Sequence, residues 1–587
     1  MTILDEIFPA PQRVLPRDGR GALSPIRIGY DSQLPEQAYQ LEVDGTGVRV
    51  TAGGAAGARY ARTTVRQLER LSRRSGEPVP CVRIEDAPAV AVRAVMLDVS
   101  RDRVPHVETL AGLIRSMADW KLNQLQLYFE NTYAYAGHEP VWADATPYTA
   151  ADVARIEGLC RDHGIEMLLQ QNCLGHAEKW LTHDRYADLA ALPGGYHDDR
   201  GNEEPPATLD PRSERAFALV TDWLTQLAGL QPRAPRLHIG LDEPLDLNLD
   251  LWRAVFAPPG AGHFEVRLGE TEQKLYLDWL RRIRELPVLR RRDLVMWADV
   301  ASANPAVLAG LPPGVTLVEW GYEADHPFDD RAAALAARGV PFWLCAGTNT
   351  WNTLAGRPAN ARATIANAAR AAVRHGAGGL VIADWGDNGH TQQPAFSQIV
   401  FALAAGYAWN PAAAAKLDWA WLIDTHVADD RAGVLGRSML AVGDLYTTLP
   451  VQVPEGSALA ACLGPAPMLA RLAAGGVDAA ALDWVLAELD RQATALDGAD
   501  LRGSDATGTM AEVRFTIRLL SYGARRMRAY LTSAPAPAGE YASLLAEYER
   551  LWRLRCRTGG LAHSMTMLAI MAPLHSADAV QRGQVTC

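Results

Sequence analysis

Eight short apolar runs recur between residues 93 and 385, each leading into a loop and most into a helical pattern, and that rhythm leaves few folds open. The runs span 93–99, 124–130, 165–171, 237–243, 294–299, 316–322, 342–347 and 379–385. Near-continuous apolarity over so few residues is what a strand buried on both faces requires. Between the runs, Leu110, Leu113, Ile114 and Met117 keep the i, i+3, i+4, i+7 spacing of an amphipathic helix. Val153, Ile156 and Leu159 nearly do so after a Thr149 cap. Further helical patterns lie near 212–229, 271–285, 330–338 and 359–375, several closing with Gly or Pro. Eight strands alternating with helices predict an α/β chain built on a (β/α)8 TIM barrel; a doubly wound sheet would more often use about five to seven strands.

The barrel is expected over 89–410, with a unit on either side. Residues 1–88 read as a small α/β domain. Residues 38–43 and 47–51 alternate like strands around the turn signal Asp44-Gly45, a helix-like stretch follows over 58–71, and a further strand-like run over 79–84 precedes the breaker Asp86-Ala-Pro88. Residues 411–587 are Ala- and Leu-rich, with helical patterns over 480–496, 510–531 and 541–554 and no strand alternation. This C-terminal helical region carries no motif; it is expected to pack on the barrel or on a second subunit, which makes it a candidate homodimer surface.

Composition excludes some classes of function. No apolar run reaches the ~18–20 residues needed to cross a bilayer, and the N-terminus has no basic segment followed by an apolar one, so neither a membrane partner nor a signal peptide is expected. The net charge is −11, with no block of Lys and Arg, which argues against a nucleic-acid partner. Seven cysteines, at 81, 160, 173, 345, 462, 556 and 587, are scattered without a Cys-x-x-Cys pair. That suits a reducing, cytoplasmic setting and argues against a cysteine-built zinc site.

In a barrel of this kind, chemistry gathers at the C-terminal ends of the strands. Read in turn, those ends carry Asp98 and Arg101; Glu130 and Asn131; Asn172 and His176; Asp242 and Glu243; Trp297 and Asp299; Trp320 and Tyr322; Asn349 and Trp351; and Trp385, Asp387 and Asn388. Acids, amides and aromatic rings together, with no Gly-rich phosphate turn, suit a carbohydrate: rings stack on its apolar faces and carboxylates accept from its hydroxyls. The adjacent acids Asp242 and Glu243 are the sharpest signal, because a fold tolerates two neighbouring carboxylates at a strand end mainly where their field does chemistry. The plainer reading of that pair is a helix cap and first-turn acid; its place at a strand end beside His238 weighs against it.

The residues then reach a resemblance. Arg93-Ala-Val-Met-Leu-Asp98, Lys121-Leu-Asn123, Gly175-His176, His238-Ile-Gly-Leu-Asp-Glu243 and Trp385-Gly-Asp387 together resemble glycoside hydrolase family 20, the exo-β-N-acetylhexosaminidases. The N-terminal unit, with Tyr39-Gln-Leu-Glu-Val43 and Gly57-Ala-Arg-Tyr60, resembles that family's small domain before its barrel. The resemblance implies release of terminal, non-reducing β-linked GlcNAc or GalNAc from an oligosaccharide or glycoconjugate, with retention, no cofactor and no metal. The substrate's own 2-acetamido oxygen is then the nucleophile and an oxazolinium ion the intermediate. It further implies Glu243 as general acid/base and Asp242 as partner of the acetamido N–H. Arg93 and Asp387 would bind ring hydroxyls, Tyr322 the acetamido carbonyl, and His176 would support the acid. Trp297, Trp320, Trp351 and Trp385 would wall the pocket, with Glu130 and Asn131 also among the substrate-binding residues. Two departures stand out: Asn172 where the family commonly has Asp, and Glu130-Asn131 where it has Asp-Asp.

Plainer roles stay open at several positions. Arg93 begins its strand and can equally form an ion pair at the barrel's closed end. His176 can be structural, and His238 reads as a hydrogen-bonded barrel residue. Trp120, Trp180, Trp223 and Trp279 lie in helical patterns and read as core. Two rival classes remain: a metal-dependent barrel hydrolase using Glu130, His176 and Asp242 as ligands, and a catalytically silent sugar-binding protein.

Overall fold

Strands β1 (Arg13–Arg20), β2 (Ile26–Tyr30), β3 (Tyr39–Asp44), β4 (Gly47–Ala52) and β5 (Pro80–Asp86) form one sheet in the order β1-β5-β3-β4-β2. The chain is described by a computed structural model over residues 2–197, 203–247, 266–535, 537 and 539–570. The expected hairpin is β3–β4, closing at the Asp44–Gly47 pair with Gly47 at φ 136°, a conformation glycine adopts without a Cβ clash. Helix α1 (Ala55–Ser75) lays Tyr60, Val65, Leu68 and Leu71 on that sheet and closes on Gly76 in the left-handed conformation. Strands β1 and β2 escape sequence reading because both are largely exposed: β1 has no period-2 apolar signal, and in β2 only Ile26, Ile28 and Tyr30 alternate, over five residues.

The barrel strands are β6 (Val92–Asp98), β7 (Gln124–Phe129), β8 (Glu166–Gln171), β9 (Arg236–His238), β10 (Asp293–Trp297), β11 (Val315–Trp320), β12 (Phe342–Gly347) and β13 (Gly379–Asp384). All pair in parallel and β13 closes on β6, giving the eight-stranded ring. Side chains alternate across the strands. Val95 and Leu97 of β6 face the helices, while Ala94 and Met96, with Val295, Val318, Val381 and Ala383, fill the interior. That interior cluster runs on into Trp297, Tyr322, Trp351 and Trp385, so the packed core ends in aromatic rings at the C-terminal end.

The helices fall where periodicity placed them: Ala150–His163 with a capping box at Thr149, Glu214–Leu230 with Ser213 as cap, Glu270–Glu285, Phe328–Ala337 and Pro358–His375. The expected run 237–243 is shorter as a strand, and the reason bears on function. Regular pairing stops at His238, and Gly240, Leu241 and Glu243 follow with φ of 67°, 69° and 44°. A Cβ at Gly240 would lie 2.5 Å from the Asn172 side chain, so that position takes only glycine without displacing its neighbour. The left-handed steps turn the chain off the ladder just where the two acids stand.

Of the C-terminal helices, Ala506–Thr532 packs on the last barrel helix, Pro394–Trp409, and carries Ala479–Ala495 on its other side, while Glu540–Arg555 and Leu561–Ile570 reach the barrel through Arg555, His563 and Ser564. Glu512, fully buried, accepts from the Ala395 backbone N–H at the start of the last barrel helix and from Arg555. Among the described residues no helix is long and apolar enough to cross a membrane. Six of the seven cysteines are buried free thiols; Cys587, like the rest of 571–587, lies outside the described residues.

Candidate active site

Asp242 and Glu243 meet at one imidazole. His176 Nε2 lies 3.4 Å from Asp242 Oδ2 and 3.3 Å from Glu243 Oε2. His176 is itself in the left-handed region, φ 52°, and Gly175 beside it is pressed against the Asp242 and Glu243 carbonyls, where a Cβ would come within 2.5 Å. The loop after β8 is thus built against the loop after β9. Asn172, at the end of β8, serves the same junction: its amide donates to Asp242 Oδ1 at 2.5 Å and its carbonyl accepts from the Leu241 backbone N–H at 3.0 Å.

Electrostatics separates the roles. Burial pushes the Asp242 carboxyl up, but the His176 imidazole and the Asn172 amide overcome it and hold Asp242 below the usual range. Burial likewise works against a charged His176, yet Asp242 and Glu243 raise its pKa well above the ordinary value. Asp299, at the end of β10, accepts from the Glu243 backbone N–H at 3.0 Å. Burial, then the Asp242 charge, push it well up, and its second oxygen is buried without a partner. His238 is driven down to about 3 by burial. It takes the Gly240 N–H on Nδ1 and packs on Trp297, the structural role expected of it.

Arg101, not Arg93, is the guanidinium beside the paired acids and His176. It reaches Asp98 at 3.0 Å, Asp387 at 3.5 Å, Glu130 at 3.6 Å and His176 Nδ1 at 3.3 Å, and it lies over the rings of Tyr128 and Trp385. Its position is fixed because Asp98 also accepts from the backbone N–H groups of Ser100, Arg101 and Gly386, tying the loops after β6 and β13 together. Arg93 departs from the expectation. It is the second residue of β6, about 17 Å from the strand's other end at ~3.3 Å per residue. There its guanidinium donates to Tyr60 Oη, Gln37 Oε1 and the carbonyls of Val90, Ala91 and Lys121. Position in the strand decided it: the first residues of a barrel strand lie at the closed end.

The aromatic wall is a linked set. Trp385 Nε1 donates to Tyr322 Oη at 2.7 Å, which leaves the phenol's own proton free to donate elsewhere. Tyr322 packs edge-on to Trp351 and flat on Trp320, and Trp385 sits 5.7 Å from Trp297. The indole N–H groups of Trp297 and Trp351 are buried without a partner among the described residues. Burial holds the Tyr322 phenol well above its ordinary pKa, so it stays a neutral donor. Glu130 accepts from Tyr128 Oη at 2.8 Å; burial raises it to about 7 against the pull of Arg101. Asn131 turns away, its amide donating to the Val141 carbonyl, and Asn349 is absorbed in its own loop by Arg357 and Asn360. Asp387 faces Arg101, its carboxyl raised by burial and by Asp98 and Glu243. The metal-ligand trio Glu130, His176 and Asp242 is interrupted by the Arg101 cation, which faces both Glu130 and His176.

A closed parallel barrel with paired acids beside a cluster of tryptophan and tyrosine rings at its C-terminal end is a glycosidase-like arrangement. The family descriptions "Glycosyl hydrolase family 20, domain 2" and "Glycosyl hydrolase family 20, catalytic domain" match residues 16–87 and 91–355, together more than half of the sequence. The chain belongs to glycoside hydrolase family 20. It is 29% identical over 248 residues to a β-N-acetylhexosaminidase of Cellulomonas fimi, covering 39% of this chain and 49% of that one. It is 26% identical over 245 residues to human hexosaminidase D, covering 40% and 45%. The chain thus spans about half the length of these curated relatives. In three dimensions it resembles Flavobacterium johnsoniae chitobiase, with TM-score 0.56 at 14% identity over 94% of this chain and 100% of that one. It also resembles the Streptomyces plicatus N-acetyl-β-hexosaminidase, with TM-score 0.53 at 19% identity over 76% and 96%. At such identities these likenesses speak for the fold.

Proposed function

We propose that the protein is an exo-acting, retaining β-N-acetylhexosaminidase that releases terminal GlcNAc or GalNAc with the substrate's own acetamide as nucleophile. The single observation that carries this reading is the Asp242–Glu243 pair, bridged by His176 beside the aromatic cluster of Trp297, Tyr322, Trp351 and Trp385.

The acetamido carbonyl oxygen attacks the anomeric carbon as the glycosidic bond breaks, and Glu243 delivers a proton to the departing oxygen. Asp242, kept ionised by its surroundings, accepts from the acetamido N–H and offsets the positive charge that develops on the ring being formed. Tyr322 donates to the acetamido oxygen and fixes it in line, an orientation effect that removes much of the entropic barrier. Glu243, now a carboxylate, takes a proton from water as that water opens the oxazolinium ion on the same face the leaving group left. Trp297 and Trp385 stack against the sugar, and Asp387 accepts from its hydroxyls. No step calls for a metal ion.

Hydrolysis of 4-nitrophenyl β-GlcNAc and β-GalNAc tests the reading. The expected result is turnover of both, unchanged by EDTA, with kcat reduced about 100-fold or more in Glu243→Gln and in Asp242→Asn. No turnover of either glycoside, loss of activity on chelation, or near-parental rates in both variants contradicts it.

A further inference from the structure

Segment 450–457 lies between the C-terminal helices Leu435–Asp444 and Ala458–Ala461, and it crosses to the catalytic end of the barrel. The backbone N–H of Glu455 donates to Glu323 Oε1 at 3.1 Å. Glu323 is gripped by both terminal nitrogens of Arg357, at 2.9 and 2.7 Å, and Arg357 also donates to Asn349. A Cβ on Gly456 would stand 3.5 Å from the Asn352 carbonyl oxygen, so the segment abuts the loop that carries Trp351.

We propose that Glu455, supplied by the C-terminal region and not by the barrel, is a specificity-determining residue whose carboxyl hydrogen-bonds a ring hydroxyl of the terminal sugar beside Asp387. This rests on the hexosaminidase reading and extends it. The anchoring of the segment uses only the backbone N–H, which any residue but proline supplies, so it gives no reason for a carboxyl here. Glu455 nevertheless holds φ 49°, a conformation unfavourable for a residue with a Cβ. It also places a half-buried carboxyl in the field of Asp387, Glu243 and Glu323, with no hydrogen-bond partner for that carboxyl among the described residues. The neighbouring loop carries a second polar group, the buried indole N–H of Trp351, with no partner among the described residues. Burial first, then the three neighbouring carboxyls, raise Glu455 to about 8. Near neutrality it can therefore donate to a sugar hydroxyl as well as accept from one.

Kinetics with 4-nitrophenyl β-GlcNAc and its 4-deoxy and 6-deoxy analogues, in the parent and in Glu455→Ala, form a cycle between side chain and hydroxyl. In Glu455→Ala we expect KM to rise about tenfold with kcat within about threefold, and the penalty for removing one of the two hydroxyls to fall from about tenfold to about twofold. If Glu455→Ala melts well below the parent, the same cycle is read from Glu455→Met, which keeps the side-chain length without an oxygen to hydrogen-bond the sugar. Equal deoxy penalties in parent and variant, with the parent active, overturn the role of Glu455 alone. A parent inactive on every glycoside overturns the hexosaminidase reading and this proposal with it.

Discussion

His176 is the residue on which the two acids depend, because its Nε2 is within 3.4 Å of both. Its charge and theirs are linked, and the sign follows from the shifts. Asp242 is depressed, so its share of the ion pair is complete above about pH 4 and is lost as pH falls through its lowered value. His176 is raised, so its share is complete below about pH 6.5 and is lost as pH rises through its raised value. The thermal midpoint of the parent should therefore exceed that of His176→Asn by most between about pH 4 and 6.5, and by less on either side. The same variant should move the acid limb of kcat/KM upward, since Asp242 then titrates without its imidazole. An acid limb unmoved by the substitution would detach His176 from Asp242. The pair itself was legible in the sequence, as two adjacent acids after an apolar run. The imidazole's place between them was not, since a lone Gly-His carries no direction, and Arg101 could be named at its strand end but given no role.

At the scale of elements, a strand's two ends do different work, and apolar patterning does not label every residue with its end. The runs and helices were legible because both faces of each barrel strand are buried and each helix has one buried stripe. Arg93 was misplaced toward the sugar because its strand was read correctly but its motif was weighed above its position. In the structure Arg93 ties β6 to the small domain, through Tyr60 and Gln37, beside the buried Lys121–Asp86 pair that Tyr39 and Trp409 complete. Arg93→Met leaves those carbonyls without their donor, and we expect a loss of about 3 kcal/mol in stability. The KM of the surviving enzyme should be unchanged; a large rise in KM with an unaltered melting point would return Arg93 to the sugar. The early end of β9 was equally hidden, since only close approach to Asn172 reveals why Gly240 and Leu241 turn left-handed.

At the scale of the molecule, the C-terminal region joins the barrel's catalytic end on two sides. Glu455 meets the loops after β11 and β12, while His563 reaches Asp102 at 2.8 Å and Ser564 donates to the Gly389 carbonyl, beside the loops after β6 and β13. Helical periodicity located the helices of this region, but docking depends on which loops they touch, and segment 450–457 has no period to read. The contact is buried and charged: Glu512 holds Arg555 and the Ala395 N–H at once. Calorimetry should show a single unfolding transition for the whole chain, lowered in Glu512→Ala by about 3–5 kcal/mol. Two separable transitions would mean that barrel and helical region are independent.

The most direct test of the central claim concerns the nucleophile. If the acetamide attacks while Asp242 steadies its N–H, replacing N-acetyl by N-trifluoroacetyl in 4-nitrophenyl β-GlcNAc weakens the carbonyl oxygen as a nucleophile. The expected result is a fall in kcat/KM of more than about tenfold, with the β-anomer appearing first in the proton NMR spectrum of the products. A rate indifferent to the fluorines, or an α-anomer released first, would contradict it.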